Sequence, residues 1–70
     1  MSESVYKLVE LVGSSTESWE KAAAAAVGKA RSSLRDLRIA EVTKLDMNLD
    51  DDGKIVAYRA RVSISFKMED

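Results

Sequence analysis

The sequence has no cysteine, no histidine and no proline, and only three glycines. Without cysteine there is no disulfide and no thiolate zinc site. Without histidine there is no imidazole metal ligand, no Ser–His triad and no side chain whose ordinary pKa places a base near neutrality. Asp, Glu, Lys and Tyr remain, but the strong nucleophile and the near-neutral base are both missing, so no catalysis is expected. Charge of one sign is also lacking. Eleven Lys+Arg stand against twelve Asp+Glu, a net charge of −1, which leaves no basic footprint for nucleic acid. The longest unbroken apolar run, Ala22 to Val27, is six residues, far short of the roughly 20 that a membrane span needs. The first residues, Met1-Ser2-Glu3, are acidic rather than basic, so no signal peptide is expected and a soluble cytoplasmic protein is. With no proline and 46% hydrophobic residues, disorder is not expected.

What is present is a 70-residue chain, read as one small domain over residues 1–70. A domain of this size buries only about 60% of the surface its unfolded chain exposes. With disulfides and the commoner metal sites excluded, oligomerisation is the remaining source of stability. From Val5 to Val12 the residues favour a strand with two largely apolar faces. Gly13 is expected to end it. Ser14 and Glu17 have capping-box spacing, with Ser15 as an alternative N-cap, and predict a helix from Thr16 to Arg35. Five consecutive alanines, Ala22 to Ala26, carry its propensity. Trp19, Ala23, Ala26, Val27, Ala30, Leu34 and Leu37 recur at a 3–4 spacing and predict the core-facing stripe. Ala24, Ala25 and Gly28 on the opposite face either admit a close subunit or lie in solvent.

Arg38 to Leu49 reads as a second strand with Ile39, Glu41, Thr43, Leu45, Met47 and Leu49 on one face. Asp50-Asp51-Asp52-Gly53 reads as a turn. Alternation is sharpest in the final run, where Val56, Tyr58, Ala60, Val62, Ile64, Phe66 and Met68 are apolar and Arg59, Arg61 and Lys67 stand among the intervening residues. The order is β-α-β-β, an α+β fold. A helical crossover makes the first two strands parallel, so an all-antiparallel sheet requires the third strand between them, order 1-3-2. One short helix cannot cover such a sheet, and the uncovered face and two open edges call for further copies of the chain.

Chemical motifs are sparse. Trp19 lies on the core stripe and is expected to anchor the core. Asn48 to Gly53 resembles the start of an EF-hand loop, but Asn stands first, Arg59 occupies the twelfth position where a bidentate Glu belongs, and the flanks are strands. A solvated hairpin turn is the expected structure. Asp46, Asp50, Asp51 and Asp52 nonetheless sit on or beside one hairpin. Several such hairpins brought together by symmetry would offer carboxylates to a hard cation such as Ca²⁺, with Asp46, Asp50 and Asp52 the candidate ligands. The basic row Arg59, Arg61 and Lys67 is expected to pair with acidic neighbours. Glu10 and Glu41 lie within strands and suggest no paired-carboxylate catalytic site.

The chain resembles the dodecins, small flavin-binding proteins of β-α-β-β build that assemble as hollow homododecamers. The resemblance spans Val5 to Lys67. It rests on Val5-Tyr6-Lys7, Glu10-Leu11-Val12-Gly13-Ser14-Ser15, Ser18-Trp19-Glu20, Ala26-Val27, Leu34, Glu41-Val42, Gly53-Lys54-Ile55, Tyr58 and Ser65-Phe66-Lys67. It implies a non-enzymatic shell that binds and stores a small ligand: FMN or riboflavin, coenzyme A, or a cation. It also places a flavin-stacking Trp at Ile39, a ring-bonding Gln at Arg59 and a basic residue near the flavin phosphate at Asp46. An aliphatic side chain cannot stack as an aromatic does, and a guanidinium donates but cannot accept. The pattern is similar to the calcium-dodecin branch, which lacks the stacking Trp.

Overall fold

In the computed structural model, which describes residues 3–68, the order is β1 (Tyr6–Ser15), α1 (Trp19–Ser33), β2 (Leu37–Leu49) and β3 (Ile55–Lys67). All pairings are antiparallel and the sheet order is β1-β3-β2, as the connectivity requires. β3 occupies the centre because its alternation supplies one continuous apolar face. Ala60, Val62 and Ile64 are fully buried there, against Ala22, Ala26 and Ala30 of α1. Val9, Leu11, Val27, Leu34 and Leu37 close the margins of this core.

Gly13 does not end the first strand. β1 continues to Ser15, and Gly13 lies opposite Ala60 beneath the helix. A Cβ built on Gly13 would collide with the carbonyl oxygen of Ala22 and lie 3.2 Å from Ala26 Cβ. The glycine therefore serves close helix–sheet approach rather than strand termination. Strand extension also displaces the expected capping box. Ser14 remains in β1 opposite Arg59, so the helix starts later, at Trp19. Its N-cap is Ser18, whose hydroxyl accepts from Lys21 N–H at 3.0 Å. Ser15 Oγ accepts from Glu17 N–H at 3.0 Å, which orders the link. At the other end α1 stops at Ser33, short of Arg35. Asp36 takes the left-handed conformation, φ 59°, that turns the chain into β2. The buried stripe of the helix is Ala22, Ala26 and Ala30, so Ala22 belongs to it. Trp19 stands half-buried at its margin instead of in the core.

The second strand departs most from simple alternation. Register shifts fall between Leu37 and Ile39, between Val42 and Lys44, and between Asn48 and Leu49. Residues directly opposite each other share a face. Before the central bulge Ile39 and Glu41 oppose Ser65 and Ser63 on the face away from the helix; beyond it Leu45 and Met47 oppose Ala60 and Tyr58 on the helix side. The single apolar face expected for Ile39, Leu45 and Met47 is thus split, because one extra residue at Thr43 reverses the alternation. Thr43 Oγ1 donates to Arg61 O at 3.3 Å within the bulge.

The helix lies over β1 and β3 and scarcely reaches β2, which is exposed from Arg38 to its end. The chain measures 55 × 20 × 15 Å with a radius of gyration of 14.6 Å, against about 11 Å for a compact domain of this length. Its accessible surface is 5438 Å², about 1,100 Å² above the size expectation for a monomer. Leu8, Ile39, Leu45 and Leu49 are all more than half exposed. Among the described residues no helix is long and apolar enough to cross a membrane.

Gly13→Ala should lower stability by about 1–3 kcal/mol, the usual cost of overpacking, because the added methyl meets helix backbone rather than a movable side chain. Thermal unfolding by circular dichroism checks this; an unchanged midpoint would show that α1 can move away from β1 at no cost.

Candidate functional site

Three features gather around the middle of β2. On the face away from the helix, Asp46 and Arg59 are directly opposite on β2 and β3. Arg59 Nε donates to Asp46 Oδ1 at 2.7 Å and Arg59 Nη2 to Oδ2 at 3.0 Å, a bidentate ion pair that fixes both side-chain planes. Both side chains remain about half exposed. The Arg59 hydrogen bond holds the Asp46 carboxyl below its ordinary value, with Arg61 adding from further away, and the carboxylate raises the guanidinium in return. The expected acidic partner of the basic row is therefore present for Arg59. Arg61 lies opposite Lys44 instead, like beside like.

The three positions singled out by the resemblance do not converge within one chain. Asp46 and Arg59 meet. Ile39 lies seven residues earlier on β2, about 20 Å along the strand. It is 67% exposed and paired with Ser65, whose hydroxyl donates to Ile39 O at 3.5 Å.

On the helix side of β2 an open groove of ≈ 530 Å³ is lined by Trp19, Glu20, Ala23, Val42 and Leu45. The central bulge puts Leu45 on this side. Trp19, on the helix side, reaches the backbone of the edge strand. Its indole N–H donates to the backbone oxygen of Asp46 at 3.1 Å, and its ring meets Tyr58 edge-on, centroids 5.0 Å apart at 67°. Sequence reasoning missed both the Trp19–Asp46 hydrogen bond and the bulge. Neither leaves a local pattern, since residues 27 positions apart are joined only by the fold.

The acidic turn is closed by its own backbone. Asp50 Oδ1 accepts from the N–H groups of Asp52 and Lys54 at 2.9 and 3.0 Å. Gly53 N–H donates to Asp50 O, and Gly53 has φ 80°, where a residue without Cβ is favoured. Both Asp46 oxygens are occupied by Arg59 and one Asp50 oxygen by the turn, which leaves Asp52 as the least engaged of the three candidate ligands. Among the described residues of one chain, no three acidic side chains gather to hold a metal ion.

A folded-state pKa below the ordinary value means that the Asp46–Arg59 pair stabilises above that value and ceases to do so as pH falls through the lowered one. Asp46→Asn should therefore be less stable than the wild type near neutrality, and the two should converge in acid. Melting temperatures across pH 2–7 check this; a constant difference over the whole range would show that the pair does not contribute.

The family model described as Dodecin matches residues 5–69. The chain is 51% identical over 65 residues to the calcium dodecin of Mycobacterium tuberculosis, covering 93% of this chain and 90% of that protein. It is 38% identical over 66 residues to the dodecin of Thermus thermophilus, covering 94% of each. Among solved structures, dodecin from Streptomyces coelicolor superposes with a TM-score of 0.90 at 30% identity, over 100% of this chain and 99% of that one. The calcium-chelating calcium dodecin of Mycobacterium tuberculosis, described with a novel calcium-binding site, superposes with a TM-score of 0.81 at 49% identity, over 93% and 91%.

Proposed function

The chain belongs to the dodecin family, and from that premise we propose a non-enzymatic, self-assembling shell, a homododecamer, whose flavin position has been rebuilt and whose ligand is a cation, Ca²⁺ before others. The observation that carries this reading is the bidentate Asp46–Arg59 pair. It fills, with a self-neutralising ion pair, the place where the resemblance puts a ring-bonding Gln and a basic residue. Ile39 offers no aromatic face. Two polar contacts and one stacking contact of a flavin sandwich are replaced together. The 51% identity to a calcium dodecin supports the cation.

Assembly follows from the same fold. The exposed edge strand and the excess surface above a compact monomer both require cover. Assembly also bears on the cation. A hard cation takes six to eight oxygen ligands, and one chain supplies too few, because Asp46 and Asp50 already spend oxygens on Arg59 and on the turn. Ligation by Asp46, Asp50 and Asp52 therefore requires turns from several copies, or release of Asp46 from Arg59.

Titration with FMN and riboflavin tests the first half, because stacking quenches flavin emission. No saturable quenching is expected, and Ile39→Trp with Arg59→Gln should restore some. Tight quenching of the wild type would instead return the chain to flavin storage. Oligomer melting with Ca²⁺, Mg²⁺ and chelator tests the second half. A bound cation raises the midpoint by mass action, with Ca²⁺ expected to exceed Mg²⁺; equal midpoints would remove the cation. Native mass spectrometry of protein purified without additives reads the subunit number and any retained coenzyme A or flavin.

A further inference from the structure

Asp46 is held in place by very little packing. β2 is exposed along its length beyond Leu37, and α1 scarcely touches it. Among the described residues, one hydrogen bond runs from α1 to β2, and it runs from the Trp19 indole to the backbone oxygen of Asp46 itself. Both polar ends of Asp46 are thereby engaged, its carbonyl by Trp19 and its carboxylate by Arg59. The indole also packs edge-on against Tyr58, which immediately precedes Arg59. Trp19 thus touches the segment carrying each member of the ion pair, and the same ring forms a wall of the groove on the other side of the sheet.

We propose that Trp19 is a positioning residue that holds the Asp46–Arg59 pair in its bidentate geometry and couples it, through the sheet, to the state of the apolar groove between α1 and β2. An exposed ion pair normally loses much of its Coulomb gain to the entropy of fixing two side chains. Anchoring the Asp46 backbone from the helix lowers that loss at one partner, and the Tyr58 contact steadies the strand at the other. Coupling of this kind is reciprocal. Whatever displaces the indole from the groove loosens the pair, and whatever draws Asp46 or Arg59 apart is felt at the indole. The functional meaning rests on the reading that this pair marks the ligand position; the physical link does not.

The chain has one Trp, so the assembled full-length protein gives one indole N–H resonance. Its solvent exchange is measured at neutral pH, with no ligand added, in wild type, Asp46→Asn, Arg59→Gln and Lys44→Gln. Removing either member of the pair should speed indole exchange by roughly 2- to 10-fold, the span of one hydrogen bond's net worth. Lys44→Gln, which alters charge on the same sheet face opposite Arg61, should leave it unchanged. In the converse arm, Trp19→Phe keeps an aromatic ring against Tyr58 but deletes the donor, and should speed exchange of Arg59 Nε–H by a similar factor. Indole exchange that is equal in wild type, Asp46→Asn and Arg59→Gln would overturn the proposal, as would an unmoved Arg59 Nε–H in Trp19→Phe. The first arm leaves Trp19 intact, so it decides the matter even if Trp19→Phe fails to assemble. Because no ligand enters either arm, absence of Ca²⁺ binding would overturn the functional reading alone.

Discussion

Everything in this fold depends on how closely one helix lies on two strands, β1 and β3. Three alanines, Ala22, Ala26 and Ala30, share one buried cluster with Ala60, Val62 and Ile64, and a Cβ at Gly13 would collide with the helix backbone at Ala22. Small side chains allow the approach, but each buries little area, and stabilisation from burial scales with area at roughly 25 cal/mol per Å². The resulting core is thin. Val62 and Ile64 are its largest fully buried side chains, so the chain has close packing in a narrow zone and little reserve beyond it.

The close seat of the helix also fixes what is left uncovered. Lying over β1 and β3, α1 meets β2 only along its margin and leaves that strand exposed beyond Leu37. That strand carries the central bulge, an open edge and both Asp46 and Ile39. Bulges and edges are where a sheet can aim side chains outward, and they are also where a sheet invites further chains. The open edge and Asp46 of the candidate site therefore lie on the same strand.

At that strand the chemistry is one of self-satisfaction. A carboxylate and a guanidinium directly opposite each other neutralise one another in both charge and hydrogen bonding, so an incoming ligand must offer more than either already has. A neutral aromatic ring offers neither charge nor an ion's coordination demand. A divalent cation of the kind proposed would compete for the carboxylate directly, and the acidic turn beyond Leu49 lies on the same hairpin. The Asp50 carboxylate shows the same economy on a smaller scale: one oxygen closes the turn by accepting two backbone N–H groups, and the other takes no part in those bonds.

Sequence by itself determined the elements, their order and the sheet's 1-3-2 arrangement. Alternation along β3, the alanine run of α1 and the Asp-Gly turn are local signals, and chain connectivity does the rest. It also pointed, through the family resemblance, to Ile39, Asp46 and Arg59, and the acidic partner expected for the basic row is found at Arg59 but not at Arg61, which lies opposite Lys44. What it did not determine were features that arise only when distant segments meet. Strand β1 runs past Gly13 because β3 continues to pair with it, and that moves the helix cap from Ser14 to Ser18. The bulge at Thr43 depends on the register with Arg61, and it divides Ile39 from Leu45 although their spacing predicts one face. Trp19 belongs by periodicity to the core stripe, yet its indole turns to Asp46 because the exposed edge strand offers a carbonyl there. Periodicity records which side of an element is apolar; which backbone group stands within hydrogen-bonding reach is set by tertiary packing alone.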